Sequence, residues 1–400
     1  EVKRNLFASL ENIVPENTVL ATNTSSISVT AIAAGLTHPG RVAGMHFFNP
    51  VPLMKLVEVV SGLQTDSDVA ASVYQLAEHW GKKAVHAAST PGFIVNRIAR
   101  PFYAESLELL QQRVTDHATI DACIRGAGFR MGPCELMDLI GHDTNFAVTE
   151  SVYRANFMDK RFKPSLVQKA LVDGGLLGRK SGQGFYQYVE GRETKADKAA
   201  VHHFTQPPDG QVVLHGDGFV KDLLVERLRG LGLSFEQVVA SSWTGIETSS
   251  GQLRLTDGYP ASALGENVAV FDLPISGLEN VPIALAVSAR ATADWRAQSA
   301  GWLAALGFIP RDIDDSPGLV VARTIAMLIN EAADAVHQGV CTEEGADDAM
   351  QMGVNYPCGP FQWLSKWGVA PVVELLDRLD AYYRGERYRV SPLLRHRTWA

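Results

Sequence analysis

Residues 43–61 read "AGMHFFNPVPLMKLVEVVS". Two short apolar runs flank a Phe-Phe-Asn-Pro turn, each long enough for a buried strand and too short for a typical buried helix. The first run ends on a histidine, His46, and the second carries one acid, Glu58, in its middle. If the runs form adjacent strands, imidazole and carboxylate can meet. A buried histidine satisfied by a backbone carbonyl, with Glu58 on a solvated face, fits the spacing equally well.

Outward from this stretch the pattern alternates. "TVLAT" from Thr18 is strand-like, and "SSISVTAIAAGL" is helical, with Ser25 or Ser26 as its N-cap. "DSDVAASVYQLAEHWG" is an amphipathic helix running from an Asp/Ser cap to a Gly stop, and "KKAVHAA" is a last strand. Strands alternating with helices indicate a largely parallel α/β sheet. The chain opens with "EVKRNLFASLENIVPEN", already in helical rhythm, with Leu6, Leu10 and Ile13 or Val14 on one face and Pro15 as the stop. A helix feeding a strand at residue 18 reads as the middle of an α/β domain, so further residues are expected upstream of Glu1.

From residue 91 the pattern changes to helix after helix: "FIVNRIARPFYAESLELLQQ", "TDHATIDACIRGAG" with Thr115 or Asp116 as cap, and "PSLVQKALVDGGLLG". This helical stretch returns later. "PGFIVNRIARPFYAESLELLQQRVTDHATID" from Pro91 aligns with "PGLVVARTIAMLINEAADAVHQGVCTEEGAD" from Pro317. The two share Arg97/Arg323, Glu105/Glu331, Val114/Val340 and Asp121/Asp347 at a constant offset. "GPCELMDLIG" then pairs with "GPFQWLSKWG". The polar stretch ending in Pro-Pro-Asp-Gly between the copies reads as a linker. After it, "QVVLHGDGFVKDLLVERLRGLG" reads as strand, Gly-rich turn and helix. Its Gly216-Asp217-Gly218 is a fragment of a dinucleotide fingerprint with Lys221 in place of the third glycine.

Composition narrows the function classes. The 400 residues are 46% hydrophobic and 20% charged with net charge −8, which gives no general basic field for nucleic acid or anionic lipid. Cys123, Cys134, Cys341 and Cys358 form no CxxC pair and no His–Cys ligand spacing. They read as reduced thiols of a cytoplasmic protein, and no metal is expected. No apolar run reaches membrane-spanning length and no signal peptide is seen, so neither a membrane nor a nucleic-acid partner is expected.

"NTSSIS", "HFFNPVPLMKLVEVV", "TPGFIVNR", "GAGFRMGPCELMDLIG" and "GRKSGQGFY" follow one another in order over residues 1–188. Together they resemble the L-3-hydroxyacyl-CoA dehydrogenase family. The tandem layout is similar to the long bacterial form from phenylacetate catabolism, members of which oxidise 3-hydroxyadipyl-CoA. The resemblance implies an α/β plus all-α chain. A partial Rossmann-type NAD-binding domain would span 1–88, a helical domain 89–190, a linker 191–209, a degenerate Rossmann-like domain 210–315 and a second, non-catalytic helical domain 316–400. It implies an acyl-CoA substrate and NAD as cofactor, with the Gly-rich loop and several coenzyme A contacts upstream of Glu1. A chain holding only part of the cofactor domain should then bind NAD poorly.

Oxidising a secondary alcohol requires hydride loss, for which no amino acid is an acceptor. It also requires proton loss to a base of near-neutral pKa. The resemblance assigns that base to His46, with Glu58 fixing its tautomer, and places Ser25 and Asn96 in the active site. By position alone, Ser25 is a helix cap and Asn96 an ordinary polar residue near a helix start. Asn23 and Asn49 match positions beside the nicotinamide and its ribose, and Lys3 and Lys180 match cofactor-contacting lysines. In the second copy Asn96 corresponds to Ala322. The segment matching Glu58, "IALAVS", holds no acid, and "NVAVFDLPIS" holds no histidine. All three catalytic positions are thus expected to be apolar or absent there. That half is expected to pack on the first as a pseudo-dimer within one chain, with a homo-oligomer also possible. Two other functions compete: a non-catalytic acyl-CoA-binding relative, and a fragment of a multifunctional β-oxidation protein. The intact Ser25, His46, Glu58 and Asn96 set opposes the first, and the long degenerate spacer opposes the second.

Overall fold

The computed structural model describes residues 1–25, 27–190, 192–193, 211–238 and 240–400. Helix α1 (Val2–Glu11) buries Phe7, while Leu6 and Ile13 point to solvent. The buried stripe is therefore Phe7, Leu10 and Val14, shifted from the face expected from the leucines. The helix also stops at Glu11, short of Pro15. Strand β1 (Leu20–Thr22) follows, then α2 (Val29–Ala33). The cap of α2 is Ser28, whose hydroxyl accepts from Ala31 N at 3.2 Å, and not Ser25, which turns toward His46. Ser26 lies outside the described residues.

Strands β2 (Val42–Phe47) and β3 (Leu56–Ser61), helix α3 (Ser67–His79) and strand β4 (Lys83–Ala88) complete a four-stranded sheet ordered β1-β2-β3-β4. β2 runs parallel to β1 and antiparallel to β3, and β4 runs parallel to β3. Five consecutive residues of β2 and of β3 are buried, as expected for strands covered on both faces. Ala43, Met45, Val57 and Val59 pack on one side with α3 residues Val73 and Ala77. Val42, Leu56 and Val60 belong to the large core shared with the helical units. Side chains alternate along a strand, so His46 and Glu58 lie on this second face.

The first helical unit holds α4 (Val95–Ile98), α5 (Arg100–Gln111), α6 (His117–Gly126), α7 (Pro133–Ile140), α8 (His142–Ala155) and α9 (Leu166–Asp173). The long helix expected from residue 93 divides at Ala99, and Pro101 sits in the first turn of α5, where its missing N–H costs nothing. Asp116, the second of the two cap candidates, accepts from Thr119 N at 2.7 Å. A two-stranded ribbon of β5 (Tyr188–Val189) and β6 (Arg192–Glu193) ends this unit. The rest of the expected linker lies outside the described residues.

The next unit runs β7 (Val212–His215), α10 (Gly218–Gly230), β8 (Phe235–Val238), β9 (Gly245–Glu247), β10 (Gln252–Leu255), α11 (Ala261–Leu264), β11 (Val268–Phe271), β12 (Val281–Val287), α12 (Ala293–Ala305) and β13 (Phe308–Asp312). Its seven strands are ordered β13-β12-β11-β10-β9-β7-β8. The parallel, antiparallel, parallel succession of β10, β11, β12 and β13 repeats that of β1 to β4. The second helical unit holds α13 (Val321–His337), α14 (Glu343–Val354), α15 (Pro360–Trp367), α16 (Val369–Tyr383) and α17 (Pro392–Arg397). Helix α13 is buried from Val321 to Ala335, because α5 covers it from the other copy.

The two copies face each other across an approximate two-fold relation. Arg97 Nε donates to Glu331 Oε1 at 2.6 Å, and the equivalent Arg323 Nε donates to Glu105 Oε2 at 3.0 Å. Ala88 N donates to Val340 O at 2.8 Å, and Asp314 N donates to Val114 O at 2.9 Å. Gly126 approaches Pro282 so closely that a Cβ would lie 2.4 Å from the proline carbonyl oxygen, so the crossing of α6 over β12 demands glycine. Each copy uses the same internal device as well. Asp121 accepts from Cys134 N and Glu135 N at the start of α7, and Asp347 accepts from Phe361 N and Gln362 N at the start of α15.

Candidate active site

His46 stands near the carboxyl end of β2, directly opposite Glu58 on β3. Cross-strand neighbours on one face are close enough for their side chains to touch. His46 Nδ1 lies 2.5 Å from Glu58 Oε2. The other carboxylate oxygen, Oε1, accepts from Ile94 N and Val95 N, both at 3.0 Å, at the entrance to α4. Glu58 is wholly buried and His46 is 3% exposed. The rings of Phe48 and Phe93 lie 4.7 and 5.7 Å from the imidazole. A carboxylate in such a place is tolerable only with its oxygens bonded, and here both are. It accepts the hydrogen bond of Nδ1–H, which leaves Nε2 as the acceptor. Ser25 Oγ lies 3.0 Å from Nε2. The three groups form one relay from the surface to the core, and the buried carboxylate stabilises the imidazolium formed when Nε2 gains a proton.

Ser25 follows the carboxyl end of β1 and opens on a cavity of about 490 Å³. Its far wall is α8, with Thr144, Ala147, Val148, Ser151 and Val152. Asn96, half buried in α4, follows a turn at Gly92, where φ is +80° and a Cβ would lie 3.0 Å from Arg97 N. The hydrogen bonds from Ile94 and Val95 to Glu58 fix this turn, so one carboxylate positions both His46 and the helix bearing Asn96. A larger cavity of about 930 Å³ lies between β4 and residues 339–348 and contains none of these groups.

The sequence-expected cofactor residues are placed unevenly. Asn23 Oδ1 accepts from Phe47 N at 3.4 Å, beside the relay. Asn49 is exposed just past β2. Lys3 donates to Thr22 Oγ1 at 3.0 Å and to the Asn23 carbonyl at 2.5 Å, which ties α1 to β1. Lys180 is paired with Asp143 on the rim of the Ser25 cavity. The residues at the carboxyl ends of β1 and β2 fit the nicotinamide end of a dinucleotide, with a hydroxyl and a half-apolar cavity beside a proton acceptor. No G-x-G-x-x-G occurs in the sequence, so these residues account for that end of the cofactor alone.

The second copy corrects one expectation. Register places Ala284 opposite Asp272, so Ala284 holds the Glu58 position and Asp272 the His46 position. The catalytic positions are therefore not all apolar or absent. Asp272 is wholly buried and accepts from Val320 N, Val321 N and Ala322 N at 2.9, 2.6 and 2.9 Å, at the entrance to α13. Burial pushes its carboxyl up to about 6, against the pull of these backbone donors. The acid has crossed to the neighbouring strand and kept the helix-holding role of Glu58 without an imidazole. Sequence reading also missed the crossed Arg97–Glu331 and Arg323–Glu105 pairs, although all four residues stood out as repeat coincidences.

A hydroxyl and an imidazole at the carboxyl ends of the parallel strands β1 and β2, backed by a buried carboxylate on β3, suit proton removal from an alcohol beside a dinucleotide-type sheet. Comparisons with known proteins agree. Residues 1–90 match the family model "3-hydroxyacyl-CoA dehydrogenase, NAD binding domain", and residues 92–188 and 318–399 both match "3-hydroxyacyl-CoA dehydrogenase, C-terminal domain". Residues 253–317 match "3-hydroxybutyryl-CoA dehydrogenase reduced Rossmann-fold domain". The chain is 43% identical over 398 residues to a 3-hydroxyadipyl-CoA dehydrogenase of Escherichia coli K12, covering 99% of this chain and 78% of the relative. It is 43% identical over 189 residues to a probable 3-hydroxybutyryl-CoA dehydrogenase of Bacillus subtilis, covering 47% of this chain and 66% of that one. A crystal structure described as 3-hydroxybutyryl-CoA dehydrogenase from E. coli K12 superposes with a TM-score of 0.86 at 42% identity, over 100% of this chain and 79% of that one. The chain belongs to the 3-hydroxyacyl-CoA dehydrogenase family, whose members are NAD-dependent oxidoreductases.

Proposed function

We propose that the protein oxidises an (S)-3-hydroxyacyl-CoA to the 3-oxoacyl-CoA with His46 as general base. The observation that carries this reading is the buried bond between His46 Nδ1 and Glu58, which leaves Nε2 free to accept a proton beside Ser25. Bound at the carboxyl ends of β1 and β2, NAD would supply the acceptor for the hydride of the carbinol carbon. His46 Nε2 takes the hydroxyl proton, Ser25 Oγ is the second partner of the reacting oxygen, and Glu58 holds the imidazolium. Asn96 donates its side-chain amide to the thioester carbonyl or the hydroxyl. Asn23 and Asn49 lie beside the nicotinamide and its ribose, and the Lys3 and Lys180 ammonium groups keep an N–H beyond their present partners for the cofactor.

The acyl group of choice is 3-hydroxyadipyl, supported by the relative of that name, which matches along almost the whole chain. The protein works in the cytoplasm. No helix among the described residues is long and apolar enough to cross a membrane. NADH formation by the full-length protein with a panel of 3-hydroxyacyl-CoA thioesters tests the reading. His46→Gln is expected to lower kcat by about 10²-fold or more, with little change in NAD affinity. Near-normal turnover in that variant rules out the assignment.

A further inference from the structure

Six arginines among the described residues are buried: Arg41, Arg97, Arg100, Arg161, Arg227 and Arg323. Five of them have a carboxylate within ion-pair distance. Arg100 has none, although it is only 5% exposed. Its Nε donates to the Asn96 carbonyl at 2.9 Å and its Nη1 to the Thr149 hydroxyl at 3.0 Å. The guanidinium carbon lies 4.9 Å from the centre of the Tyr103 ring. Nη2 has no hydrogen-bond partner among the described residues. Burial pushes the guanidinium below its ordinary range, and only the tyrosines Tyr103 and Tyr356 act against this. Arginine stays charged in proteins, so this is a largely buried cation with no carboxylate paired to it.

The place of Arg100 in the fold says which anion it would take. It opens α5 just past the break at Ala99, and its bond to the Asn96 carbonyl holds it beside the helix that bears Asn96. Thr149, which holds Nη1, belongs to α8, and the neighbouring Val148 lines the Ser25 cavity. A small cavity of about 50 Å³, separate from the Ser25 cavity but bordered like it by α8, lies against Arg100, Thr149, Lys163, Arg161 and Arg387, with one carboxylate, Glu108, in its lining. A group on Arg100 would sit beyond the reacting carbon, at the far end of an acyl chain held by Asn96. A planar guanidinium with a free edge matches a carboxylate.

We propose that Arg100 is the receptor for a carboxylate at the far end of the acyl chain, making it the residue that selects dicarboxylic acyl-CoA substrates over neutral-tailed ones. The assignment rests on the 3-hydroxyacyl-CoA reading above and deepens it. In a six-carbon dicarboxylic chain, the terminal carboxylate stands three carbons past the hydroxyl-bearing carbon.

The test compares kcat/KM for 3-hydroxyadipyl-CoA and 3-hydroxyhexanoyl-CoA, which differ only at the chain end. The wild-type enzyme is expected to favour the adipyl substrate. Arg100→Gln is expected to reduce the ratio of the two kcat/KM values by about 10²-fold, the scale on which buried polar partners reject an unmatched ligand. Arg100→Lys, which keeps the charge without the fork, is expected to reduce the ratio less. A folding defect lowers both rates together and leaves the ratio standing, so the ratio reads the contact itself. If Arg100→Gln yields no folded protein, the wild-type preference and the Arg100→Lys ratio decide. A wild-type enzyme that oxidises both substrates without preference, or variants that leave the ratio unchanged, overturns the Arg100 assignment alone. With the full-length protein, whose cofactor domain is whole, no turnover with either substrate overturns the dehydrogenase reading and this one with it.

Discussion

The segment from β2 to α6 and the segment from β11 to α14 follow the same path, yet only the first carries a proton acceptor. In the first, Glu58 divides its two oxygens between the turn into α4 and the imidazole of His46. In the second, Asp272 gives its carboxylate to the turn into α13 and to the adjacent Leu273 N, and Ala284 faces it where Glu58 would be. An acid under the helix entrance is thus needed by the fold in both copies. The histidine is present in the first copy alone, at the position that Asp272 fills in the second. Glu58 accordingly does two jobs, and its loss should be felt in stability as well as in rate.

The most severe test of the pairing between copies is Glu105→Gln. Glu105 is wholly buried and receives Arg323, Arg387 and the Tyr388 hydroxyl. Removing its charge strands two guanidinium groups, and a loss of about 3–5 kcal/mol in unfolding free energy is expected by denaturant titration. A loss below about 1 kcal/mol would mean that the crossed pairs are incidental surface-like contacts. A sharper test of the first copy is a cycle of His46→Gln, Glu58→Gln and the double variant. If the two act as one unit, the kcat of the double variant stays close to that of His46→Gln alone. Fully multiplicative losses would dissolve the dyad. The mildest effect is expected from Asp272→Asn in the second copy. Losing the charge that faces the backbone donors should cost about 1–3 kcal/mol in stability, read as a lower midpoint of thermal unfolding. A fall in kcat comparable to that of His46→Gln would show that the second copy takes part in the chemistry.

Much of this contrast was legible in the letters. Short apolar runs gave β2, β3 and β4 their places, and the constant spacing of Arg97/Arg323 and Glu105/Glu331 announced the repeat. The spacing also allowed His46 and Glu58 to meet, although their contact depends on a strand register that sequence does not state. Three features were hidden because they depend on relations between distant segments. The arginine of each copy reaches the glutamate of the other, and only the two-fold arrangement reveals this. Asp272 does for the entrance to α13 what Glu58, on the other strand of the pair, does for the entrance to α4, since backbone N–H groups there can donate to a carboxylate from either strand. Ser28 displaced Ser25 as a cap because the Ser25 hydroxyl had a better partner in His46.

The crossed pairs also set how this molecule can change. In a symmetric dimer, any substitution at the axis occurs twice and must fit against itself. Here each side of the axis is encoded separately. Ala322 could arise opposite a retained Asn96, and Asp272 opposite a retained His46, without either change being copied into the working site. Fusing two halves into one chain therefore halves the number of reaction centres per pair of helical units. In exchange, one half is released to drift while the other stays held to its task.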